Sequence, residues 1–95
     1  MKKEIFNTYV NRVCRIMNID RDTLFSRTKK RESTEARQIL YWVCTERPIK
    51  QVDIVKYMNE NGYGAKGSEV NYGVSSINKK MEQDADYSII VNKII

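Results

Sequence analysis

Histidine is absent from all 95 residues. With it go the usual general base, the commonest metal ligand and the histidine-dependent nucleophile triads. The chain is therefore not expected to be an enzyme. Cysteine is scarce: Cys14 and Cys44 stand far apart, with no Cys or His nearby to complete a zinc site. Each falls on an apolar helical stripe and reads as a small buried hydrophobe rather than half of a disulfide or a reactive thiol. No metal or cofactor is expected. Three of the four glycines, Gly62, Gly64 and Gly67, fall together, but no Gly-Lys-Ser/Thr follows a strand, so nucleotide binding is not expected either. Apolar runs never approach the roughly 20 residues of a membrane span. Met1-Lys2-Lys3-Glu4 leads into no apolar segment that could serve as a signal peptide, and a cytoplasmic location is the expectation.

What is present describes one folded module. At 41% hydrophobic and 31% charged residues, the chain has enough apolar surface for a core, and 1–95 is expected to be a single helical domain. Seventeen Lys and Arg against twelve Asp and Glu leave a net charge of +5. The excess is uneven. Arg27, Lys29, Lys30, Arg31 and Arg37 fall within eleven residues, whereas Glu82, Asp84 and Asp86 crowd the end of the chain. A basic cluster on a cationic module suits a polyanion, although a solvated charged loop has the same composition.

Apolar periodicity predicts an all-α fold of five or six helices. Ile5, Phe6, Tyr9, Val10, Val13, Cys14 and Met17 mark a first helix, and Asp20 caps a short turn carrying Leu24 and Phe25. Ser26 to Arg31 reads as a basic loop. Ser33 or Thr34 then caps a helix with Ala36, Ile39, Leu40, Val43 and Cys44 inward, Trp42 closing an edge of the core, and Pro48 following its end. A helix over about 49–58 is expected to turn Val52, Val55 and Ile54 inward. Residues 59–67 form the strongest loop signal. Ser68 caps a helix whose Val70, Val74, Ile77 and Met81 face the core, leaving Asn71, Tyr72, Ser75, Ser76, Lys79 and Lys80 outward. A final helix offers Tyr87, Ile90, Val91, Ile94 and Ile95 to the interior.

Two consecutive helices, the second with a small polar outer face, and an earlier basic loop are the parts used by helix-turn-helix proteins on double-stranded DNA. The helix-turn-helix would span about 50–81. The amide of Asn71 can donate and accept against a base edge, Ser75 and Ser76 let the helix come close, and Lys79 and Lys80 can meet the sugar-phosphate wall.

The segment from Asn7 to Lys80 also resembles the C-terminal DNA-binding domain of the bacterial chromosomal replication initiator (DnaA), a six-helix domain of the Trp-repressor-like group. The resemblance rests on Val13-Cys14-Arg15-Ile16-Met17-Asn18-Ile19 before Asp22-Thr23-Leu24, on the loop Ser26-Arg27-Thr28-Lys29-Lys30-Arg31, on Ala36-Arg37-Gln38-Ile39-Leu40-Tyr41-Trp42-Val43, and on the closing Lys79-Lys80-Met81. It implies that the Arg27–Arg31 loop lies along the backbone or enters the minor groove, that Arg37 contacts phosphate, and that residues 71–73 read bases. The chain departs from the family where Val70-Asn71-Tyr72-Gly73 replaces the base-reading motif, and in a longer preceding loop that carries Lys66. A role in replication initiation or its regulation would follow, in a phage or mobile element, whose AT-rich genome the Ile-, Lys- and Asn-rich composition suits. The second reading is a protein-interaction module for a replication or transcription partner, with Tyr41, Tyr57, Tyr63 and Tyr72 as aromatic anchors.

Overall fold

The computed structural model describes residues 2–47 and 49–95; Met1 and Pro48 lie outside them. Within the described residues six helices form and no strand: α1 (Lys2–Met17), α2 (Arg21–Leu24), α3 (Arg31–Glu46), α4 (Gln51–Glu60), α5 (Gly67–Gln83) and α6 (Ala85–Asn92). The all-α expectation is met. No helix is long and apolar enough to cross a membrane.

α3 is the axis of the fold. It packs against α1, α2, α4 and α5, while α6 rests on α5. Its residues from Ile39 to Cys44 are all buried, so it is apolar around most of its circumference, as a central helix must be. Phe6, Val10 and Val13 of α1, Leu24 of α2, Ile54 and Met58 of α4, and Val70 and Ile77 of α5 close on it as one cluster. Trp42 lies at the cluster's edge, and its indole N–H donates to the Asn78 side chain at 2.8 Å.

Local chemistry sets the ends. At the close of α1, Asn18 takes a left-handed φ of 57° and the Ile19 amide returns to the Cys14 carbonyl at 3.0 Å. Asn is among the few residues with a side chain that accepts this conformation readily. Asp20 then caps α2, its carboxylate accepting from the Thr23 amide at 2.7 Å. α4 ends in a Schellman turn: Gly62 at φ 82° allows the Gly62 amide to reach the Asn59 carbonyl and the Tyr63 amide the Met58 carbonyl, at 2.9 and 3.2 Å. That turn delivers Tyr63 to the core.

Four expectations are corrected. α3 starts at Arg31 with Lys30 as N-cap, so Ser33 is a buried residue of the first turn instead of a cap. α5 starts at Gly67 with Lys66 as N-cap, two residues ahead of the expected cap Ser68. Val52 is 69% exposed, because Ile54 and Met58, four apart, set the phase of α4, and a residue two before Ile54 falls on the far side. In α6 and the residues after it, Val91 and Ile94 are buried but Ile90 and Ile95 stay exposed, since that helix lies at the edge of the fold and packs chiefly on α5. Pro48, read as following the end of α3, lies outside the described residues; α3 does end at Glu46, with Arg47 as its C-cap.

Candidate functional site

The basic loop joins α2 to α3 and is held from beneath. Arg37, one turn and a half into α3, is only 5% exposed. Its guanidinium donates to the carbonyls of Leu24 at 2.9 Å, Ser26 at 3.0 Å and Thr28 at 2.9 Å. Three loop carbonyls that point inward thus find a fork of donors, which a planar guanidinium supplies and a single ammonium does not. This corrects the role expected for Arg37: the side chain is enclosed and committed to its own backbone, so it shapes the loop rather than meeting a phosphate.

Arg27 reaches the other way. It donates to the Gly64 carbonyl at 2.6 Å, lies 3.4 Å from Glu69 Oε1 and stacks 4.3 Å from the centre of the Tyr63 ring. Arg37 lies 4.8 Å from the same ring. Two guanidiniums therefore share one aromatic face system, with the Glu69 carboxylate close by to offset their repulsion. Glu69 also accepts from the Tyr41 hydroxyl at 3.2 Å. Burial, the nearby carboxylate and that hydrogen bond together push the Tyr41 phenol well above its ordinary range. Gly64 takes φ 75°, the left-handed turn that brings its carbonyl to Arg27.

The cations differ in freedom. Lys29, Lys30, Arg31, Lys66 and Lys79 are exposed and form no ion pair with a described residue. Lys80 is partly enclosed, 3.5 Å from Glu35 and 5.7 Å from the Tyr87 ring centre, where it ties α5 to α3 and α6. Arg31 belongs to the first turn of α3, at the end of the loop.

The loop and the outer face of α5 border one recess of about 290 Å³, whose lining includes Arg27 and Lys29 from the loop, Gln38 and Tyr41 from α3, and Tyr63 and Tyr72. Next to it, Lys29, Arg31 and Lys80 share a shallower depression with Thr34, Glu35 and Gln38. Asn71 and Ser75 lie on the other flank of α5, where they line a groove with Lys50 and Gln51 at the start of α4. The loop cations thus share depressions with Tyr72 and Lys80 of α5, while Asn71 and Ser75 border a separate groove. Lys66 and Lys79 line none of these depressions, although both are exposed.

Sequence reading missed Gln38, Thr34 and Glu69 as parts of this surface, and it read Tyr41 and Tyr63 as surface anchors. Both tyrosines are buried, at 1% and 5% exposure, while Tyr72 is 70% exposed. The placement of Glu69 in the first turn of α5 was visible, but its partners come from α3 and two loops. No spacing along the chain announces them. Comparison with protein-family models, curated proteins and solved structures gives no match for this chain.

Proposed function

We propose that this protein binds double-stranded DNA, with α5 as the helix presented to the major groove and the Arg27–Arg31 loop on the adjoining phosphates. α4 and α5, with the intervening loop, would form the helix-turn-helix. The observation that carries the reading is the shared recess: Arg27 and Lys29 of the loop and Tyr72 of α5 line the same concavity, so one duplex can meet both surfaces. Unpaired Lys29, Lys30, Arg31 and Lys79 supply mobile charge for phosphates, and Asn71, Tyr72 and Ser75 supply side chains short enough or flat enough to meet base edges. Arg37 serves indirectly, by fixing the loop that carries the free cations.

The resemblance to the initiator's DNA-binding domain supports the same docking and suggests replication initiation or its control as the process. The altered Val70-Asn71-Tyr72-Gly73 segment suggests a target other than the usual initiator box.

A selection from random duplexes at two salt concentrations tests the reading. Retention of DNA at low salt, with one enriched motif surviving at higher salt, is the expected result. Failure to retain any duplex at low salt contradicts it.

A further inference from the structure

We infer that the recess between the basic loop, α3 and α5 takes a single unpaired nucleobase held in a DNA strand, an inference that rests on the DNA-binding reading above.

Shape comes first. At about 290 Å³ the recess falls just below the range of small-ligand clefts, about 300–1,000 Å³, and suits one flat ring system. A paired duplex keeps its bases stacked inside and shows only their edges and the sugar-phosphate backbone, so it can cover such a hollow but not put a ring into it. A base that has left the stack can enter.

The lining is chemically suited to that guest. Tyr72 stands 70% exposed at the rim, and the Arg27 side chain, 58% exposed, lies beside it over the buried Tyr63 ring at 4.3 Å. Nucleobase faces stack on aromatic rings and on guanidinium planes alike. For the edge of the base there is Gln38, half-buried, whose amide makes no hydrogen bond to a described residue. An amide offers a donor and an acceptor side by side, the pattern base edges present.

The cations of this surface differ in how far they are already engaged. Arg27 is held by the Gly64 carbonyl and by Glu69, and Arg37 by three carbonyls, so both guanidiniums of the recess are already engaged, while Lys29 of the same lining makes no ion pair with a described residue. The Glu69 carboxylate lines the same wall and offsets part of the guanidinium charge. Lys29 on the recess wall and Lys30 and Arg31 after it follow one another along the loop, where the phosphates flanking an extruded nucleotide would lie. A ring seated by Tyr72 and Gln38 with its phosphates toward Lys29, Lys30 and Arg31 matches this arrangement.

The test is equilibrium binding of the full chain to three labelled DNAs: a paired duplex, the same duplex with one bulged base, and the same duplex with an abasic bulge. The base-bearing bulge should bind about tenfold more tightly than either of the others, the size expected for one base–aromatic stack. Tyr72→Ala should erase that preference while Tyr72→Phe keeps it; the exposure of Tyr72 makes both variants safe for folding. Equal binding of basic and abasic bulges, or a preference that survives Tyr72→Ala, overturns the inference. Tight binding of paired duplex with no bulge preference overturns it while leaving the duplex reading intact. Binding of the base bulge alone does the reverse. Displacement of the bulged DNA by millimolar free deoxynucleotide would assign the recess to the nucleotide itself and overturn the strand-held form.

Discussion

Arg37 shows most clearly how a residue's type can be readable when its task is not. A basic side chain beside a basic loop looks like one more phosphate ligand, and only the fold places its guanidinium under three inward-pointing carbonyls. Arg37→Ala should destabilise the protein by about 3 kcal/mol, since it leaves carbonyls unpartnered in a site that is nearly closed to water. Urea unfolding of that variant checks this; an unchanged midpoint would return Arg37 to the surface role. Arg37→Lys should recover only part of the loss, because one ammonium cannot reproduce the fork. Cys44 is the converse case, a residue whose apolar stripe told its fate. Burial raises its thiol from the ordinary 9.0 to about 12, so thiol reagents near neutral pH should leave it unmodified until the protein unfolds.

At the level of elements, helix existence followed from apolar spacing, and helix ends did not. Asp20 was legible as a cap because its carboxylate reaches an amide three residues on, a purely local matter. The starts of α3 and α5 were misread because Lys30 and Lys66 make no side-chain cap bond there, so no residue type advertises them. Val52 was misread because two apolar phases overlap in α4 and only packing against α1, α3 and α5 selects between them. The contact between α3 and α5 hinges on a residue the apolar stripe passes over. A Cβ added at Gly73 would come within 2.8 Å of Tyr41 Cδ2 and 3.4 Å of the Gln38 Cα. Gly73→Ala should therefore cost about 1–3 kcal/mol through overpacking, more than the roughly 1 kcal/mol that alanine gains in helix propensity. A thermal melt showing stabilisation would mean that α3 and α5 can part freely. Displacing them would also open the recess between the loop and α5.

Across the whole molecule, the basic loop and the α5 polar face were each visible in the sequence, but their adjacency was not, because α3, the loop after α4 and Glu69 set it together. Several phenols and a thiol are held protonated by the same packing: Tyr41, Cys44, Tyr63 and Tyr87 all have raised pKa values, with burial the leading cause. In alkali the unfolded chain releases these protons before the folded one does. The folded state then binds more protons, so stability should fall as pH rises above about 9, and Tyr41→Phe should make the fall shallower in melts recorded across that range. For function, the decisive quantity is the salt dependence of duplex binding, because it counts neutralised phosphates directly. With about four to six contacts, log K should fall against log salt with a slope near −4 to −5. Lys29→Glu with Lys30→Glu should weaken all duplexes alike and flatten that slope by about 2. A slope near zero, or one that these two charge reversals leave unchanged, would contradict the assignment of the loop to the DNA backbone.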